Sequence, residues 1–565
     1  MDTLGREARL RQMFLDGWRP YAWIVAAGLV LYFKTLSFGF CYFDDHDLIV
    51  ANQAFLGDIS NVLQAFFQKV YPKSLAIGYY RPILLVSFIL DAQVGGPAPF
   101  VYHLTNIIIH ACASVLVFRL FLAMGCARGV SFVFAFIFTV HPALSQAVAW
   151  VPGRNDSLLA AFVIASFICL LRFTRTGRAR SYYGHLAFLS LGLFTKESAV
   201  VLIPLSYIYL MLTGGRNGAP KRWKALIPGH ILVGSLWALS RHFAVKGSIP
   251  TDVTEIIGMV VPQIPAVAQL MGKAVLPFNQ SVFPMMYDTA SFYGLAVIAA
   301  IVTAFILCRD CDRGIMLFGV IWFISFLLPP LLRPYAPFTI EVLEHRLYLP
   351  IVGLMMAISG IGCVRMPSGA LGRALAISAA AVAIIFSLKT FTHLDNFRDA
   401  SAFWRSAAKT SPHSAFMHTK LGEIYYRSGD LDGATRHLEE AVRLDPASRF
   451  GAYYYLGHVY MKQLASAEAE KQFRKAIALT PDYEWSYISL GILLYDTGRE
   501  EEAERIWRRC LEVNPENAEA LKNLAIYCAQ KKDFRSARDY ADRLKAIGIE
   551  PPDRFLKEIA EGRGG

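Results

Sequence analysis

Charged residues are scarce in this chain. Asp, Glu, Lys and Arg make up 18% of the 565 residues, against about a quarter in an average soluble protein. Hydrophobic residues make up 55%, and the mean hydropathy is +0.38. This balance excludes an ordinary soluble protein. Nearly all long apolar runs lie in residues 1–392, whereas residues 395–565 have the composition of a soluble, charged, Ala-rich helical domain.

Cysteine is also sparse, and its spacing argues against a metal or disulfide framework. Cys308 and Cys311 form a lone CxxC with no second pair, so a zinc site is not expected. We therefore predict neither a metal nor a cofactor. Residues 1–20 lack a cleavable signal, because the basic tail continues into a helix expected to stay as an anchor. The net charge of +12 is interpreted as a topology signal, so no nucleic-acid partner is expected.

The apolar runs predict an all-α polytopic bundle of about eleven membrane spans. The stretch 83–94 is too short for a confident span and is interpreted as re-entrant or interfacial. The stretch 255–276 is broken by Pro262 and Pro265 and is assigned to the outward side. The predicted spans are 21–38, 101–123, 129–146, 157–172, 182–195, 198–213, 225–244, 291–308, 314–332, 347–364 and 372–391.

Basic residues set the predicted orientation. Arg6, Arg9 and Arg11 precede the first span and place the N-terminus in the cytoplasm. An odd number of spans then puts the C-terminal domain outside. This predicts an integral protein of the bacterial inner membrane with its C-terminal domain in the periplasm, or of the endoplasmic reticulum with that domain in the lumen.

A 34-residue repeat occupies the C-terminal part. Leu-Gly recurs at Leu421, Leu456 and Leu490, in step with recurring Ala and Pro residues. This period is typical of tetratricopeptide repeats, which pack two helices per unit into an α-solenoid. The predicted boundaries are a membrane domain 1–392, a linker helix 393–410, three to four repeats 411–550 and a tail 551–565. The array is interpreted as a surface for peptides or proteins, with a spacer or oligomerisation module as the alternative.

An acidic stretch follows the first span. Asp44, Asp45 and Asp47 fall within four residues, and such charges must face water or a polar cavity. The alternatives are a functional carboxylate site and a solvated loop that ends a helix. A metal cluster is not favoured, since adjacent side chains rarely point at one ion.

Further polar residues gather on the predicted outward side and mark a functional cavity by default. Lys196–Glu197 and Glu344–Arg346 could instead be ion pairs that orient helix ends. His103 and His110, about two turns apart, are interpreted as packed residues and not as metal ligands. The candidate set is Arg81, His141, Arg154, Asp156, Lys196, Glu197, Glu344, His345 and Arg346.

Short motifs in a fixed order carry a family resemblance. They are Phe43-Asp44-Asp45, Tyr80-Arg81-Pro82, His103 to His110, Val140-His141-Pro142, Gly153-Arg154-Asn155-Asp156, Thr195-Lys196-Glu197 and Glu344 to Pro350. With the repeats that follow, they resemble the transmembrane and tetratricopeptide-repeat-containing O-mannosyltransferases, a class C membrane glycosyltransferase family. The chain has fewer repeats than the animal members, and this compact form would suit a bacterial relative.

The resemblance implies an inverting transfer of a mannose-like sugar from a polyprenyl-phosphate donor to a Ser/Thr hydroxyl of an exported protein. Asp44 or Asp45 would be the catalytic base, and the candidate set would bind the donor phosphate and sugar, with Arg suited to phosphate. The repeats would hold the acceptor polypeptide or a partner protein. The alternatives are a membrane-anchored scaffold, which needs only one anchor, and a transporter of lipid-linked sugars, which predicts inverted repeats.

The predicted orientation can be tested with reporter fusions. A reporter after residue 565 should lie outside the cytoplasm, and one after Arg180 should lie inside. Both signals from the same side would contradict the placement of the acidic stretch beside the repeats.

Overall fold

The computed structural model describes residues 13–71, 78–213, 222–245, 258, 261–308, 311–331, 341–361, 370–447 and 449–551. The basic tail with Arg6, Arg9 and Arg11 lies outside the described residues, as does the predicted C-terminal tail beyond Pro551. The chain divides into two compact units, Met1–Thr410 and Ser411–Gly565, here called the membrane unit and the repeat unit.

The membrane unit is built from helices, and its described ranges contain no β-strand beyond one antiparallel bridge between Met285 and Glu341. Several 3-10 turns and short helices join the longer elements. The helices of ten or more residues are α1 Arg19–Tyr32, α2 Pro82–Gly95, α3 Pro99–Met124, α4 Arg128–Val140, α5 Arg154–Thr176, α6 Ala179–Thr195, α7 Leu202–Thr213, α8 Trp223–Ala244, α9 Ile264–Val275, α10 Phe292–Leu307, α11 Arg313–Leu331, α12 Pro350–Ser359, α13 Ala370–Leu394 and α14 Ala400–Thr410.

Long apolar helices make this a multi-pass membrane protein. Each of the eleven predicted spans contains a helix. Among the described residues, five helices are long and apolar enough to cross a membrane alone, and a sixth would be a bent pair. The five are Arg19–Ser37, Pro99–Met124, Val151–Thr176, Arg313–Pro330 and Gly372–Phe397. The figure of eleven spans stays a prediction.

The span predicted at 129–146 is bent in the structure. Arg128–Val140 and Pro142–Ala149 are bent by 54° at His141. Pro142 has no amide hydrogen to continue the helix, and the residue before a proline is pushed out of the helical region. His141 accordingly has an extended backbone, with ψ at 123°. The helix ends on both sides of the bend are buried inside the membrane unit.

Small residues let the helices of the membrane unit approach closely. Gly319 on α11 faces Gly353 on α12, and a Cβ on Gly353 would come within 2.6 Å of the Gly319 carbonyl oxygen. Without the hydrophobic effect between helices in lipid, such backbone approach is a main source of packing energy. The segment with Glu344 to Arg346 joins α11 to α12 in the chain. Close packing of these two helices therefore positions the ends of that segment.

In its described residues, 411–447 and 449–551, the repeat unit consists of four antiparallel helix pairs. In the first three pairs a glycine of the first helix lies against a large side chain of the second: Gly422 on Leu438, Gly457 on Phe473 and Gly491 on Trp507. The sequence period thus corresponds to helix pairs, as tetratricopeptide repeats require. The helices are α15 Ala415–Ser428, α16 Leu431–Leu444, α17 Phe450–Lys462, α18 Ser466–Leu479, α19 Glu484–Asp496, α20 Glu500–Val513, α21 Ala518–Gln530 and α22 Phe534–Ala546.

The glycine contact predicts a stability difference between two alanine variants. Gly353→Ala should lower the unfolding free energy in detergent by about 1–3 kcal/mol, because the new methyl group meets backbone that cannot rotate away. Gly234→Ala on α8 is the matched control, since its nearest heavy atom would be Ile203 Cδ1 at 3.9 Å. Thermal unfolding of both variants measures this, and equal stability would contradict close packing at α11–α12.

Candidate active site

The two adjacent aspartates of the acidic stretch have different surroundings. Asp45 is 1% exposed, and its two carboxylate oxygens accept the backbone N–H groups of Cys41, at 2.5 Å, and Phe43, at 2.7 Å. Burial raises the pKa of Asp45, against the opposing effect of these N–H groups. Asp45 therefore fixes the backbone of the loop. Asp44 is only half-buried.

Tyr71 interacts with both Asp44 and Arg81, the first cation of the candidate set. Burial is the largest cause that raises the pKa of Tyr71, followed by the Asp44 carboxylate, while Arg81 opposes the shift. Arg81 Nε lies 3.3 Å from Glu197 Oε2, and its guanidinium lies 4.2 Å from the Tyr79 ring. The acidic loop and Arg81 thus share one neighbour.

A second cation lies close by. Lys196 Nζ binds Asp156 Oδ1 at 2.7 Å and Asn155 Oδ1 at 3.0 Å. The other oxygen of Asp156 is buried without a hydrogen bond from the described residues, and His345 Nε2 is 3.8 Å from it. The Gly-Arg-Asn-Asp and Thr-Lys-Glu motifs, far apart in the chain, therefore meet at one point.

The third cation, Lys273, was absent from the sequence-based set. Its Nζ lies 2.5 Å from Glu344 Oε1, and both side chains are buried. Burial raises the pKa of Glu344, with Lys273 and the Ser281 N–H opposing that shift. Arg346 binds Glu341, through the backbone oxygen at 3.0 Å and the side chain at 3.5 Å.

Trp150 joins the acidic loop to His345, beside the ion pairs described above. The Phe43 ring stacks on Trp150 at 5.7 Å, and Trp150 packs on His345 at 5.4 Å. Gln146 accepts the His345 N–H at 3.1 Å and donates to the Val282 carbonyl. The site is thus a continuous series of contacts. It runs from Asp44 to Tyr71, Arg81 and the ion pairs of Glu197 and Asp156, and Trp150 connects these ion pairs back to the acidic loop.

Two members of the predicted set have other roles in this geometry. Arg154 is fully buried, and all its donors are taken by Asn106, Ser87, Tyr102 and Asp91, so it fastens α5 to α2 and α3. His141 uses both ring nitrogens, with Nε2 on the Ala274 carbonyl and Nδ1 on the Ala143 N–H. No donor of Arg154 is left for a phosphate.

The proposed local ion pairs have longer-range partners. Lys196 and Glu344 bind Asp156 and Lys273, which lie 40 and 71 residues away in the sequence. His110 lies 2.6 Å from the Tyr348 hydroxyl and 2.9 Å from the Thr139 carbonyl, as expected of a packed histidine. Asp91 and Lys273 were missed, although each is a lone charge in an apolar stretch, which is itself a signal.

Known protein families match both units of the chain. The family described as dolichyl-phosphate-mannose-protein mannosyltransferase matches residues 87–239, which carry Asp91, Arg154, Asp156, Lys196 and Glu197. Tetratricopeptide repeat families match residues 399–463, 450–483 and 488–551. The fold and the matches define a multi-pass membrane protein related to mannosyltransferases, with tetratricopeptide repeats.

The relatives are more specific. Protein O-mannosyl-transferase TMTC3 of Homo sapiens is 22% identical over 623 residues, covering 91% of this chain and 66% of the relative. Protein O-mannosyl-transferase TMTC2 of Mus musculus is 32% identical over 194 residues, covering 33% of this chain and 23% of the relative. The chain is thus similar to the TMTC protein O-mannosyl-transferases over most of its length, and the resemblance predicted from its motifs is confirmed. It spans less than two thirds of these relatives' length.

Solved structures match about a third of the chain, with low TM-scores. The crystal structure of MamA protein is 23% identical, covers 29% of this chain and 81% of its own, and has a TM-score of 0.23. YrrB, titled a TPR protein with an unusual peptide-binding site, is 22% identical, covers 34% of this chain and 98% of its own, and has a TM-score of 0.25.

The Lys273–Glu344 pair predicts a non-additive stability effect. Lys273→Met should lower the unfolding free energy by about 3–5 kcal/mol, because it leaves a buried carboxylate without its cation. Lys273→Met combined with Glu344→Leu should cost less than the sum of the two single changes. Glu519→Gln, which removes an exposed 3.8 Å pair with Lys522, is the control and should have no measurable effect. Additive losses in unfolding experiments in detergent would contradict the pairing.

Proposed function

We propose that this protein is an inverting glycosyltransferase that moves a mannose-like sugar from a polyprenyl-phosphate donor to a Ser/Thr hydroxyl of an exported protein. The observation that carries the proposal is the difference between the two aspartates. Asp45 is committed to the loop backbone, whereas the half-buried Asp44 and the buried cation Arg81 both interact with Tyr71.

Asp44 is the general base in this proposal. A base must lie within hydrogen-bond reach of the proton it removes, and a half-buried carboxylate at the end of a membrane helix can be reached by a polypeptide from water. The acceptor hydroxyl gives its proton to Asp44, and its oxygen attacks the anomeric carbon of the sugar. The bond from that carbon to the phosphate oxygen breaks, and the electron pair leaves with polyprenyl phosphate. One displacement inverts the anomeric centre.

The buried cations stabilise the departing phosphate. Arg81 interacts with Tyr71, as the base does, and Lys196 is paired with Asp156. Each is held by a carboxylate, so both are oriented before the donor arrives, which favours electrostatic catalysis. Lys273 and Arg346 extend the positive charge along the segment that contains Glu344. A monophosphate leaving group carries less charge than a diphosphate, and the proposal includes no metal.

The buried carboxylates have capacity for sugar hydroxyl groups. Asp156 Oδ2 and Glu344 Oε2 are both buried and accept no hydrogen bond from the described residues. A buried acceptor without a donor is costly, and a sugar hydroxyl would supply the missing bond. Asp156 and Glu344 thus bind the sugar in this proposal, with His345 beside Asp156.

In this proposal the membrane unit binds the donor and the repeat unit binds the acceptor. The lipid of the donor lies in the bilayer, so the charged site at the ends of membrane helices meets its phosphate at the interface. The repeats hold the acceptor polypeptide or a partner protein, the use to which helical repeat surfaces are commonly put. Site and repeats both lie outside the cytoplasm, in the periplasm of a bacterium or the lumen of the endoplasmic reticulum.

The proposal predicts separate effects for three neighbouring aspartates. Asp44→Asn should lower transfer at least about 100-fold, since the amide keeps the shape but loses the basicity. Asp45→Asn should cost less activity and more thermal stability, because an amide has one acceptor for the two N–H groups now bound. The control is Asp47→Asn, whose side chain is exposed on the same loop, and it should be neutral.

The measurement uses purified full-length protein, radiolabelled polyprenyl-phosphate mannose and a Ser/Thr peptide. Thermal unfolding of each variant shows whether the protein is folded. Full activity in both Asp44→Asn and Asp45→Asn would reduce the acidic stretch to a solvated loop. Absence of transfer by the unaltered protein with every polyprenyl-phosphate sugar would overturn the proposed function.

A further inference from the structure

The segment predicted as a linker is bonded to the chain that leads into the acidic loop. Lys34 Nζ binds Asp395 Oδ1 at 2.8 Å, and the Gly39 N–H donates to the Arg398 carbonyl at 2.8 Å. The Cys41 thiol contacts the Phe397 carbonyl at 3.5 Å. Residues 34–41 are therefore held at three points by residues 395–398, and a free linker would make no such contacts.

Helix α14 continues this contact with aromatic side chains. Phe403 and Trp404 are each 1% exposed. The Phe43 ring lies 5.7 Å from Trp404, perpendicular to it, and 6.4 Å from Phe403. Phe43 directly precedes Asp44, and its N–H is one of the two bound by Asp45. Phe43 also packs on Trp150 and Phe283.

Helix α14 also carries the residue pattern of the repeats. Ala400, Trp404, Ala407 and Pro412 precede Ala434, Leu438, Ala441 and Pro446 by 34 residues each. In complete repeats the position of Trp404 is filled by Leu438, Phe473 and Trp507, which pack on the glycine of their own first helix. The repeat match likewise begins at residue 399. By its pattern, α14 matches the second helix of a repeat, whereas the residues 34 positions before α15 belong to the apolar helix α13 and have no Leu-Gly pair.

We propose that α14 is a half-repeat whose core residue, Trp404, positions the acidic loop. Trp404 restrains the Phe43 ring, and Asp45 restrains the backbone on either side of it. Together they set the direction of the Asp44 carboxylate. Trp404 is a positioning residue, since it acts through Phe43 and does not touch the reacting atoms. Only the role of Asp44 in transfer rests on the proposed function.

Two tryptophans at the same repeat position provide a matched experiment in the full-length protein. Trp404→Ala should raise the hydrogen-exchange rate of residues 39–47, which include the Cys41 and Phe43 amides, at least about 10-fold. It should lower kcat for transfer to a short Ser/Thr peptide by a similar factor, with KM for polyprenyl-phosphate mannose unchanged. Trp404→Phe keeps an aromatic ring and should recover most of both. Trp507→Ala opens the same position inside the repeat unit and should leave the exchange rate of residues 39–47 unchanged.

The outcomes separate this inference from the proposed function. Unchanged exchange at 39–47 in Trp404→Ala would overturn the inference. Faster exchange with unchanged kcat would also overturn it, since the loop position would not matter for transfer. If the unaltered protein transfers no sugar, the proposed function fails, and the exchange comparison of Trp404→Ala with Trp507→Ala still decides whether α14 holds the loop. An equal effect of Trp507→Ala would indicate general destabilisation and would count against it.

Discussion

Pairing of buried charge is the constraint on which the membrane unit depends. An unpaired ion in a low-dielectric interior costs several kcal/mol, so each buried cation needs a carboxylate within reach. The pairs Arg81–Glu197, Lys196–Asp156 and Lys273–Glu344 join residues that are 40 to 116 positions apart. These pairs bring the ends of several helices to one place, and the acidic loop is packed beside them through Trp150.

The buried charged residues are of two kinds, which differ in whether they leave a hydrogen-bonding atom available. Arg154 has all its donors bound, and its contacts with Asp91 and Asn106 connect three helices. Asp156 and Glu344 each use one oxygen for a lysine and keep the other without a hydrogen bond from the described residues. The first kind stabilises the fold. The second has the capacity to bind a polar substrate, which is why the proposed sugar contacts fall on these carboxylates and not on the arginine.

The acidic loop illustrates how neighbouring identical residues acquire different roles. Asp45 is turned inward by two backbone N–H groups, and this leaves Asp44 on the accessible side. Residues 395–398 and Trp404, which lie near the C-terminal end of the membrane unit in the sequence, also hold the loop. Helix α14 has the residue pattern of a repeat helix but belongs to the membrane unit. The reason is that Trp404, whose ring would fill the core of a repeat, packs on Phe43.

The sequence by itself determined the elements: long apolar runs require membrane helices, and a 34-residue period requires packed helix pairs. It also located the polar motifs, because charge is rare enough in apolar stretches to be noticed. Only the tertiary structure decided which charges meet, since each pair joins residues distant in the chain. Such pairings place Lys273 in the candidate site and give Arg154 a role in holding helices together. The inward turn of Asp45 was likewise open in the sequence, because two adjacent aspartates have the same chemistry until backbone donors select one of them.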